Sequence, residues 1–234
     1  MTSYHGGKQK IGKKLANIIY DFSVNKDETD FNIEGYCEPF CGMLGVYQHI
    51  PELFKDYKLT YQAGDINESV IKMWKSVYKG WIPPKSCSRE TFNLIKYDGK
   101  TSNIKGFIGH QCTYRGVFLD SYFNKTNSAI KKASENISNI SNKLNNISFS
   151  SKNYTQYSNL ENYIIYCDPP YANTEQRYYK GDGYVNKLSF DNTEFLIWCR
   201  KMSKNNIIFM SEYNAPSDFK KIYTNKKEKL YYLE

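Results

Sequence analysis

The chain has 234 residues, enough for one large domain with a buried core, and its 40% hydrophobic and 24% charged residues indicate a globular protein rather than a disordered one. Because the sequence contains no run of about 18 apolar residues and no apolar N-terminal signal region, we expect a soluble, intracellular protein without a membrane partner. The formal net charge of +8 favours a polyanionic partner such as nucleic acid, and an ordinary basic surface with solvated lysines is the alternative.

Three segments follow one pattern: an apolar run, an acidic residue, and then a turn and a helix. They cover residues 33–38, 59–65 and 163–168. A fourth apolar run, residues 206–210, follows a helix that we expect to begin at Asp191, because Asp191 and Glu194 have capping-box spacing. Short apolar runs that alternate with helices indicate a mostly parallel sheet, so the predicted fold class is α/β and doubly wound.

Residues 86–153 interrupt this alternation. Within them, residues 124–151 are rich in Asn, Ser and Lys and have apolar residues at steps of three and four. This spacing predicts one amphipathic helix lying on the sheet. The alternative is a helix–helix contact, within the chain or in a homodimer, because the stripe also has heptad spacing. The stripe consists of Ile130, Ala133, Ile137, Ile140, Leu144 and Ile147.

The six cysteines are predicted to be reduced thiols. Cys37 and Cys41 have C-x3-C spacing, but no second Cys/His pair follows at zinc-finger spacing, so no metal site is expected. Cys37 and Cys167 end two strand-like runs, where buried free thiols are common.

An acidic residue stands where each of the first three predicted strands ends: Glu38, Asp65 and Asp168. The carboxyl ends of parallel strands meet at the sheet edge where ligands bind. Residues 39–45, after Glu38, form a glycine-containing turn that would let a ligand approach the backbone, but they match neither a phosphate loop nor a G-x-G-x-x-G dinucleotide motif. Asp65 is placed to accept hydrogen bonds from ribose hydroxyls.

The segment Asp168-Pro169-Pro170-Tyr171 carries the most specific chemical signal. Its two prolines end the strand and stiffen the loop, and neither has a backbone N–H, so nearby carbonyls can face a ligand without competing donors. A carboxylate and a carbonyl together can accept both N–H bonds of an exocyclic amine, while the Tyr ring stacks on a planar base. The alternative is a strand end with an ordinary Pro-Pro turn.

Four short motifs occur in order along the chain: Tyr4-His5-Gly6-Gly7-Lys8, Glu38-Pro39-Phe40-Cys41-Gly42, Gly64-Asp65-Ile66-Asn67 and Asp168-Pro169-Pro170-Tyr171. Their order and spacing resemble those of the Dam-type DNA adenine N6-methyltransferases, and residues 226–233 are similar to that family's terminal strand. The resemblance implies a Rossmann-like S-adenosylmethionine-dependent methyltransferase sheet with a small, mostly helical target-recognition insert. Residues 1–85 and 154–234 would form the catalytic domain, and residues 86–153 the insert.

The resemblance also implies a role for each motif residue, with S-adenosylmethionine as the cofactor and no metal. The N-terminal cofactor motif contributes Tyr4, Gly7 and Lys8. The turn around the methionine moiety would be formed by Glu38, Pro39, Phe40 and Gly42. Asp65 would bind the ribose, and Ile66 would lie against the cofactor's adenine. The catalytic residues that bind the target adenine would be Asp168, Pro169, Pro170 and Tyr171, with Asp168 close to the methyl donor as well.

DNA is the implied partner, and a cognate restriction endonuclease is a candidate second partner. Residues 106–116 loosely resemble the family's loop that enters DNA; there Arg115 would contact a guanine edge or a phosphate, and Tyr114 would fill the gap left by a flipped base. Arg177 and Lys180 belong to a polar segment that fits a mobile loop closing over the site. Each of these segments has an ordinary surface loop as its alternative. The alternatives for function are amino methylation of another base or of RNA, and a catalytically silent DNA-binding relative.

Overall fold

The computed structural model describes residues 3–24, 32–171 and 190–233, together with the backbone of two short strands at Tyr178–Tyr179 and Val185–Asn186. The helices are α1 (Gly12–Val24), α2 (Ile50–Leu53), α3 (Glu68–Tyr78), α4 (Arg89–Tyr97), α5 (Asn103–Gln111), α6 (Asn127–Ser141) and α7 (Asn192–Met202). The strands are β1 (Gly35–Glu38), β2 (Thr60–Gly64), β3 (Ile147–Ser150), β4 (Tyr163–Cys167), β5 (Tyr178–Tyr179), β6 (Val185–Asn186), β7 (Ile207–Glu212), β8 (Phe219–Asn225) and β9 (Glu228–Leu233).

A seven-stranded sheet with strand order β3-β2-β1-β4-β7-β9-β8 forms the centre of the fold. The first five strands in this order are parallel neighbours, whereas β9 runs antiparallel to both β7 and β8. The four strands predicted from apolar runs are confirmed as β1, β2, β4 and β7. Both β1 and β7 are buried along their whole length, as expected for strands covered on both faces.

Helices cover both faces of the sheet, which confirms the doubly wound α/β prediction. In β4, Ile164 and Tyr166 pack into a core shared with α1, α3 and α6, whereas Ile165 and Cys167 pack into a core shared with α7. Helix α7 begins where predicted, because the Asp191 carboxylate accepts the Glu194 N–H at 2.9 Å. The architecture is therefore a Rossmann-like sheet that ends in an antiparallel hairpin at one edge.

The prediction of a single helix reaching Ile147 is wrong. Helix α6 ends at Ser141, and Asn146 then adopts a positive φ of 45°, which turns the chain into β3. Ile147 pairs with Tyr61 of β2, so residues 147–150, assigned above to the insert, belong to the sheet. The α6 part of the stripe is buried against this chain's own core beside α3 and is therefore covered within the chain; its members are Ile130, Ala133, Ile137 and Ile140.

The segment loosely compared with a DNA-entering loop is mostly helical, and that comparison is corrected for residues 106–111. Helix α5 begins at Ser102, whose hydroxyl accepts the Lys105 N–H at 3.1 Å. Gly106 permits close packing on α3, because a Cβ there would lie 2.1 Å from the Ser69 carbonyl oxygen. After α5, Thr113 forms an isolated β-bridge with Tyr122, and Tyr114–Gly116 form one 3-10 turn.

Strand β8 was not predicted from the sequence. It pairs with β9 through a two-residue turn at Lys226 and Lys227, and a register shift between Lys221 and Tyr223 bends it. All six cysteines are buried free thiols, as predicted. None of the helices in the described ranges combines the length and the apolar character that crossing a bilayer requires.

Candidate active site

A cavity of about 660 Å³ opens at the carboxyl ends of β1, β2 and β4. The three acidic residues predicted to meet there, Glu38, Asp65 and Asp168, all line it. So do the other residues predicted for the cofactor and the target base: Tyr4, Gly7, Lys8, Pro39, Phe40, Gly42, Ile66, Pro169, Pro170 and Tyr171. The parallel sheet therefore brings together motifs that lie far apart in the sequence.

Glu38 ends β1 and is buried in the wall of the cavity. The Tyr36 hydroxyl donates a hydrogen bond to Glu38 Oε1 at 2.8 Å. Burial raises the pKa of Glu38 from its ordinary value of 4.5 to about 8, although the hydrogen bond from Tyr36 opposes the rise. The Glu38 carboxyl is therefore mostly protonated near neutral pH until a positively charged group comes close.

Gly42 holds the turn after β1 against the end of β2. Its N–H donates to Asp65 Oδ2 at 3.1 Å, and its carbonyl accepts the Trp74 indole N–H at 2.8 Å. Its φ of +44° is in the left-handed region, and a Cβ at this position would lie 2.7 Å from the Tyr4 ring. A glycine is required here because any side chain would displace Tyr4 from the cavity wall.

Asp65 organises this corner of the cavity. Its Oδ1 accepts the Asn67 N–H at 2.8 Å, in addition to the Gly42 contact, and the Tyr4 hydroxyl also donates to it. Burial raises its pKa to about 6. Each carboxylate oxygen has two lone pairs, so Asp65 retains acceptor capacity for a ligand hydroxyl. The neighbouring Ile66 side chain is 55% exposed on the cavity wall, and it offers an apolar surface to a flat ring.

Lys8 is buried beside the carboxylate of Asp168. Its Nζ donates to Asp168 Oδ1 and Oδ2 at 2.6 and 2.7 Å and to the Gly6 carbonyl at 2.8 Å, and it lies 3.1 Å from Glu228 Oε1. Burial alone would lower the pKa of Lys8, but the two carboxylates outweigh burial and raise it above its ordinary value. Lys8 is therefore a permanent cation shared between Asp168 and Glu228.

Burial and neighbouring groups act on the pKa of Asp168 in opposing directions. Burial at the end of β4 raises its pKa, and the Lys8 ammonium lowers it, with burial the larger of the two. The negative charge of Glu228 adds to the rise. The carboxylate consequently binds a proton more readily than an exposed Asp does, and Lys8 limits that tendency.

Tyr171 is fixed at both its hydroxyl and its ring. The hydroxyl donates to Glu228 Oε1 at 3.0 Å, and the ring packs edge-on against Tyr213 with centroids 4.7 Å apart. The Lys8 ammonium lies 5.1 Å from the ring centre. Burial raises the pKa of Tyr171, so the phenol stays protonated and remains a donor. A planar ligand would stack on a ring whose orientation is already set.

An aromatic wall closes the side of the cavity next to Phe40. The Phe40 ring stacks on Tyr154 with centroids 5.6 Å apart, and it meets Phe190 and Phe195 edge-on at 5.8 and 5.6 Å. Tyr154 and Phe190 also line the cavity. This wall excludes water from one side of the site, which strengthens the electrostatic contacts within it.

The predicted nucleic-acid contacts lie apart from this cavity. Tyr114 is 49% exposed, and the Arg115 guanidinium lies 5.1 Å from its ring centre. Neither lines the cavity, but the residues that directly follow them, Gly116 to Phe118, do. Arg177 and Lys180, the other two predicted contacts, lie outside the described residues.

Sequence reasoning missed several residues at the site, among them Glu228, Tyr213 and His110. The sequence signal for Glu228 was a single acid among Lys226, Lys227 and Lys229. His110 supports Tyr4, since their ring centroids are 4.6 Å apart. Burial lowers the pKa of His110 to about 4, so its neutral ring donates from Nδ1 to the Gly116 carbonyl at 2.8 Å.

No family model and no curated protein matches this sequence. Among solved structures, two structures of the rRNA methyltransferase AviRa from Streptomyces viridochromogenes are similar to this chain. Their sequence identities are 11% and 12%, the similarity covers 94% of this chain and 84% of AviRa, and the TM-scores are 0.43 and 0.42. This likeness is too distant to assign a function, which has to be inferred from the site itself.

Proposed function

We propose that this protein is a DNA adenine N6-methyltransferase that uses S-adenosylmethionine. The observation that supports it most directly is the position of Asp168: a carboxylate at the end of a central parallel strand, followed by two residues without N–H donors and a fixed Tyr ring, in a cavity lined by Glu38 and Asp65. This arrangement offers hydrogen-bond acceptors and an aromatic surface at one point, as an exocyclic amine on a planar base requires.

The residues present fit the proposed cofactor. Asp65 has acceptor capacity for ribose hydroxyls, and Ile66 offers an exposed apolar surface for an adenine ring. Glu38, buried and readily protonated, gains a partner if the positively charged ammonium of a methionine moiety binds close to it. When bound, S-adenosylmethionine would supply an electrophilic methyl group on a sulfonium, and transfer of that methyl would break its S–C bond and leave a neutral thioether.

Asp168 acts on the amine that receives the methyl group. An adenine amine is a poor nucleophile because its lone pair is delocalised into the ring. Hydrogen bonds from its two N–H groups to Asp168 and to a carbonyl of the Pro-Pro turn favour a pyramidal nitrogen and stabilise the positive charge that grows on it. Formation of the N–C bond leaves an extra proton on this nitrogen, and the Asp168 carboxylate is the acceptor in place for it.

Lys8 keeps Asp168 in the form that this role needs. A carboxylate is a pure acceptor, whereas a protonated carboxyl becomes a donor and would repel an N–H group. Because burial raises the pKa of Asp168, the permanent cation of Lys8 at 2.6 Å is needed to hold it ionised. Lys8 contacts both oxygens of Asp168 and the Tyr171 hydroxyl also bonds to this carboxylate, which leaves at least one lone pair free, so the amine can approach without displacing Lys8.

The target base has to leave the duplex to reach this cavity. Loss of stacking costs a few kcal/mol, and stacking on the Tyr171 ring offsets part of that cost. Because Glu228 and Tyr213 already fix this ring, little further ordering is needed when the base arrives. Tyr114, which is exposed two residues before the cavity-lining Gly116, is the proposed residue for the gap left in the duplex.

The proposal is tested by incubating the protein with tritiated S-adenosylmethionine and mixed-sequence DNA and then digesting the DNA to nucleosides. We expect label in N6-methyl-2′-deoxyadenosine, its loss in Asp168→Asn, and its retention in Asp218→Asn, a control whose exposed carboxylate pairs only with Arg200 among the described residues. Label in N4-methylcytosine, or in RNA instead of DNA, would contradict the substrate assigned here. No label in any nucleic acid would identify a catalytically silent relative.

A further inference from the structure

The β8–β9 hairpin lies directly beside the catalytic loop. Glu228, the first residue of β9, contacts both parts of the site: its Oε1 accepts the Tyr171 hydroxyl at 3.0 Å and lies 3.1 Å from Lys8 Nζ. Asn225 pairs with Glu228 across the hairpin, so the turn at Lys226 and Lys227 follows immediately. The turn is thereby anchored within one residue of the site's central charges.

The hairpin is strongly basic. Residues 219–229 contain five lysines and one acidic residue, Glu228, whose charge is already shared with Lys8. The lysines are Lys220, Lys221, Lys226, Lys227 and Lys229. Lys229 donates to Asn214, and the other four are exposed and form no ion pair within the described part of the chain. Their charges are therefore free to attract an anionic partner.

The backbone at the turn favours a residue other than lysine. Lys226 has a φ of +57°, in the left-handed region that glycine and asparagine adopt readily in two-residue hairpin turns. Residues other than glycine and asparagine are disfavoured in this conformation. A lysine at this position supplies charge where the fold alone would be better served by glycine, which indicates a use for that charge.

We infer that the tip of this hairpin, Lys226 and Lys227, binds phosphates of the DNA that presents its base to the cavity. Lys220 and Lys221 lie at the other end of β8, opposite Tyr232 and Tyr231, and are not part of the proposed contact. The inference rests on the function proposed above and adds to it the surface that holds the strand. The contacts are sequence-independent, because they reach the backbone and not the base edges.

The test measures how binding depends on salt. Each phosphate contact contributes about 0.9 to the slope of log affinity against log salt on duplex DNA. We expect the double variant Lys226→Gly/Lys227→Ala to lower this slope by about 2 and to weaken binding of random-sequence duplexes uniformly, as measured by fluorescence anisotropy over a series of salt concentrations.

The matched control is Lys201→Ala/Lys204→Ala, two exposed lysines at the end of α7 that lie outside the target-recognition insert. Helix α7 leads into the start of β7, which pairs with the end of β9 and lies at the opposite end of these strands from the hairpin turn, so the control removes the same charge away from the turn. It should keep the wild-type slope. A hairpin variant that keeps the wild-type slope, or a control that loses as much, would overturn the inference.

Folding is controlled by the single variant Lys226→Gly. Since it relieves the left-handed strain, its thermal midpoint should equal or exceed that of the wild type while its affinity for duplex DNA falls. A lowered midpoint together with lowered affinity would assign Lys226 a structural role and overturn the inference. If the lysine variants weaken DNA binding but the wild type transfers no methyl group, the proposed activity fails and the proposed binding surface stands. If the wild type methylates DNA and the lysine variants bind DNA as it does, the binding surface fails and the activity stands.

Discussion

The Nζ of Lys8 lies 2.6 and 2.7 Å from the two carboxylate oxygens of Asp168, although 160 positions separate the two residues in the chain. Lys8 is buried and Asp168 is half-buried, and Glu228 lies 3.1 Å from the same ammonium. One cation therefore balances two carboxylates at the proposed catalytic point. This balance makes the protonation state of Asp168 depend on two residues that do not contact the target base in the mechanism proposed above.

Replacing Lys8 with Met should leave two neighbouring carboxylates without a cation. Asp168 then becomes harder to ionise, so we expect the acidic limb of the activity–pH profile to move to higher pH, with little activity near neutrality. Breaking such a pair costs roughly 3 kcal/mol of folding free energy. Chemical denaturation and a pH profile measure both effects, and Lys14→Met, an exposed lysine on α1, is the control. An unshifted profile would contradict the role given to Lys8.

Replacing Glu228 with Gln should move the acidic limb of the activity–pH profile to lower pH. The negative charge of Glu228 raises the pKa of Asp168, so its removal lets Asp168 ionise at lower pH. Gln retains an acceptor for the Tyr171 hydroxyl, which keeps the ring in place. The measurement is kcat against pH for wild type and variant. A shift to higher pH, or a loss of kcat equal at all pH values, would show that Glu228 does not act through charge.

The raised pKa of Glu38 should make the stability of the folded protein depend on pH. Its pKa rises from 4.5 to about 8 on folding, so the folded state binds the proton more tightly than the unfolded state does. The resulting stability is fully present below about pH 4.5 and is lost as pH rises to 8, a linked free energy of roughly 5 kcal/mol at about 1.4 kcal/mol for each tenfold change in proton affinity. Denaturant midpoints measured across this range should fall with pH for the wild type and stay flatter for Glu38→Gln. Equal slopes would refute the prediction.

Gly42→Ala should weaken cofactor binding. The new methyl group would lie 2.7 Å from the Tyr4 ring, and the φ of +44° adds strain of about 1–2 kcal/mol. Gly80→Ala is the control, because Gly80 also has a positive φ, +92°, with nothing within 4 Å of the added Cβ. Both variants should lose stability in thermal melts, but only Gly42→Ala should raise the KM for S-adenosylmethionine. Equal KM values in the two variants would contradict the steric argument.

The ends of the buried strands could be predicted because a buried strand appears in the sequence as a short apolar run. The apolar runs of β1, β2 and β4, together with the acids that follow them, predict Glu38, Asp65 and Asp168 at one sheet edge, and all three line the cavity there. Asp191 could also be predicted as the N-cap of α7, because N-capping is an interaction between residues close in the sequence. Features set by a few neighbouring residues are those that a sequence alone can reveal.

Features set by distant contacts were not predictable. Ile147 continues the helical spacing of α6, yet it pairs with Tyr61 and lies in β3. A longer α6 would have left the backbone groups along this edge of β2 without hydrogen-bond partners from β3. Glu228 shows the same limit: its sequence neighbours are lysines, but its partners Lys8 and Tyr171 come from other parts of the chain. Its role appears only when the hairpin is folded.

The contact between Lys8 and Glu228 also has a consequence for how the site comes into being. Lys8 precedes the first helix and Glu228 opens the last described strand, so a chain still being synthesised has the catalytic loop long before it has this carboxylate. Contacts of such sequence separation form late, because a large loop must close first. A nascent chain that has emerged as far as β7 therefore carries Asp168 and Lys8 without the carboxylate that shares the Lys8 charge, and the proposed catalytic centre is incomplete until β9 has been synthesised.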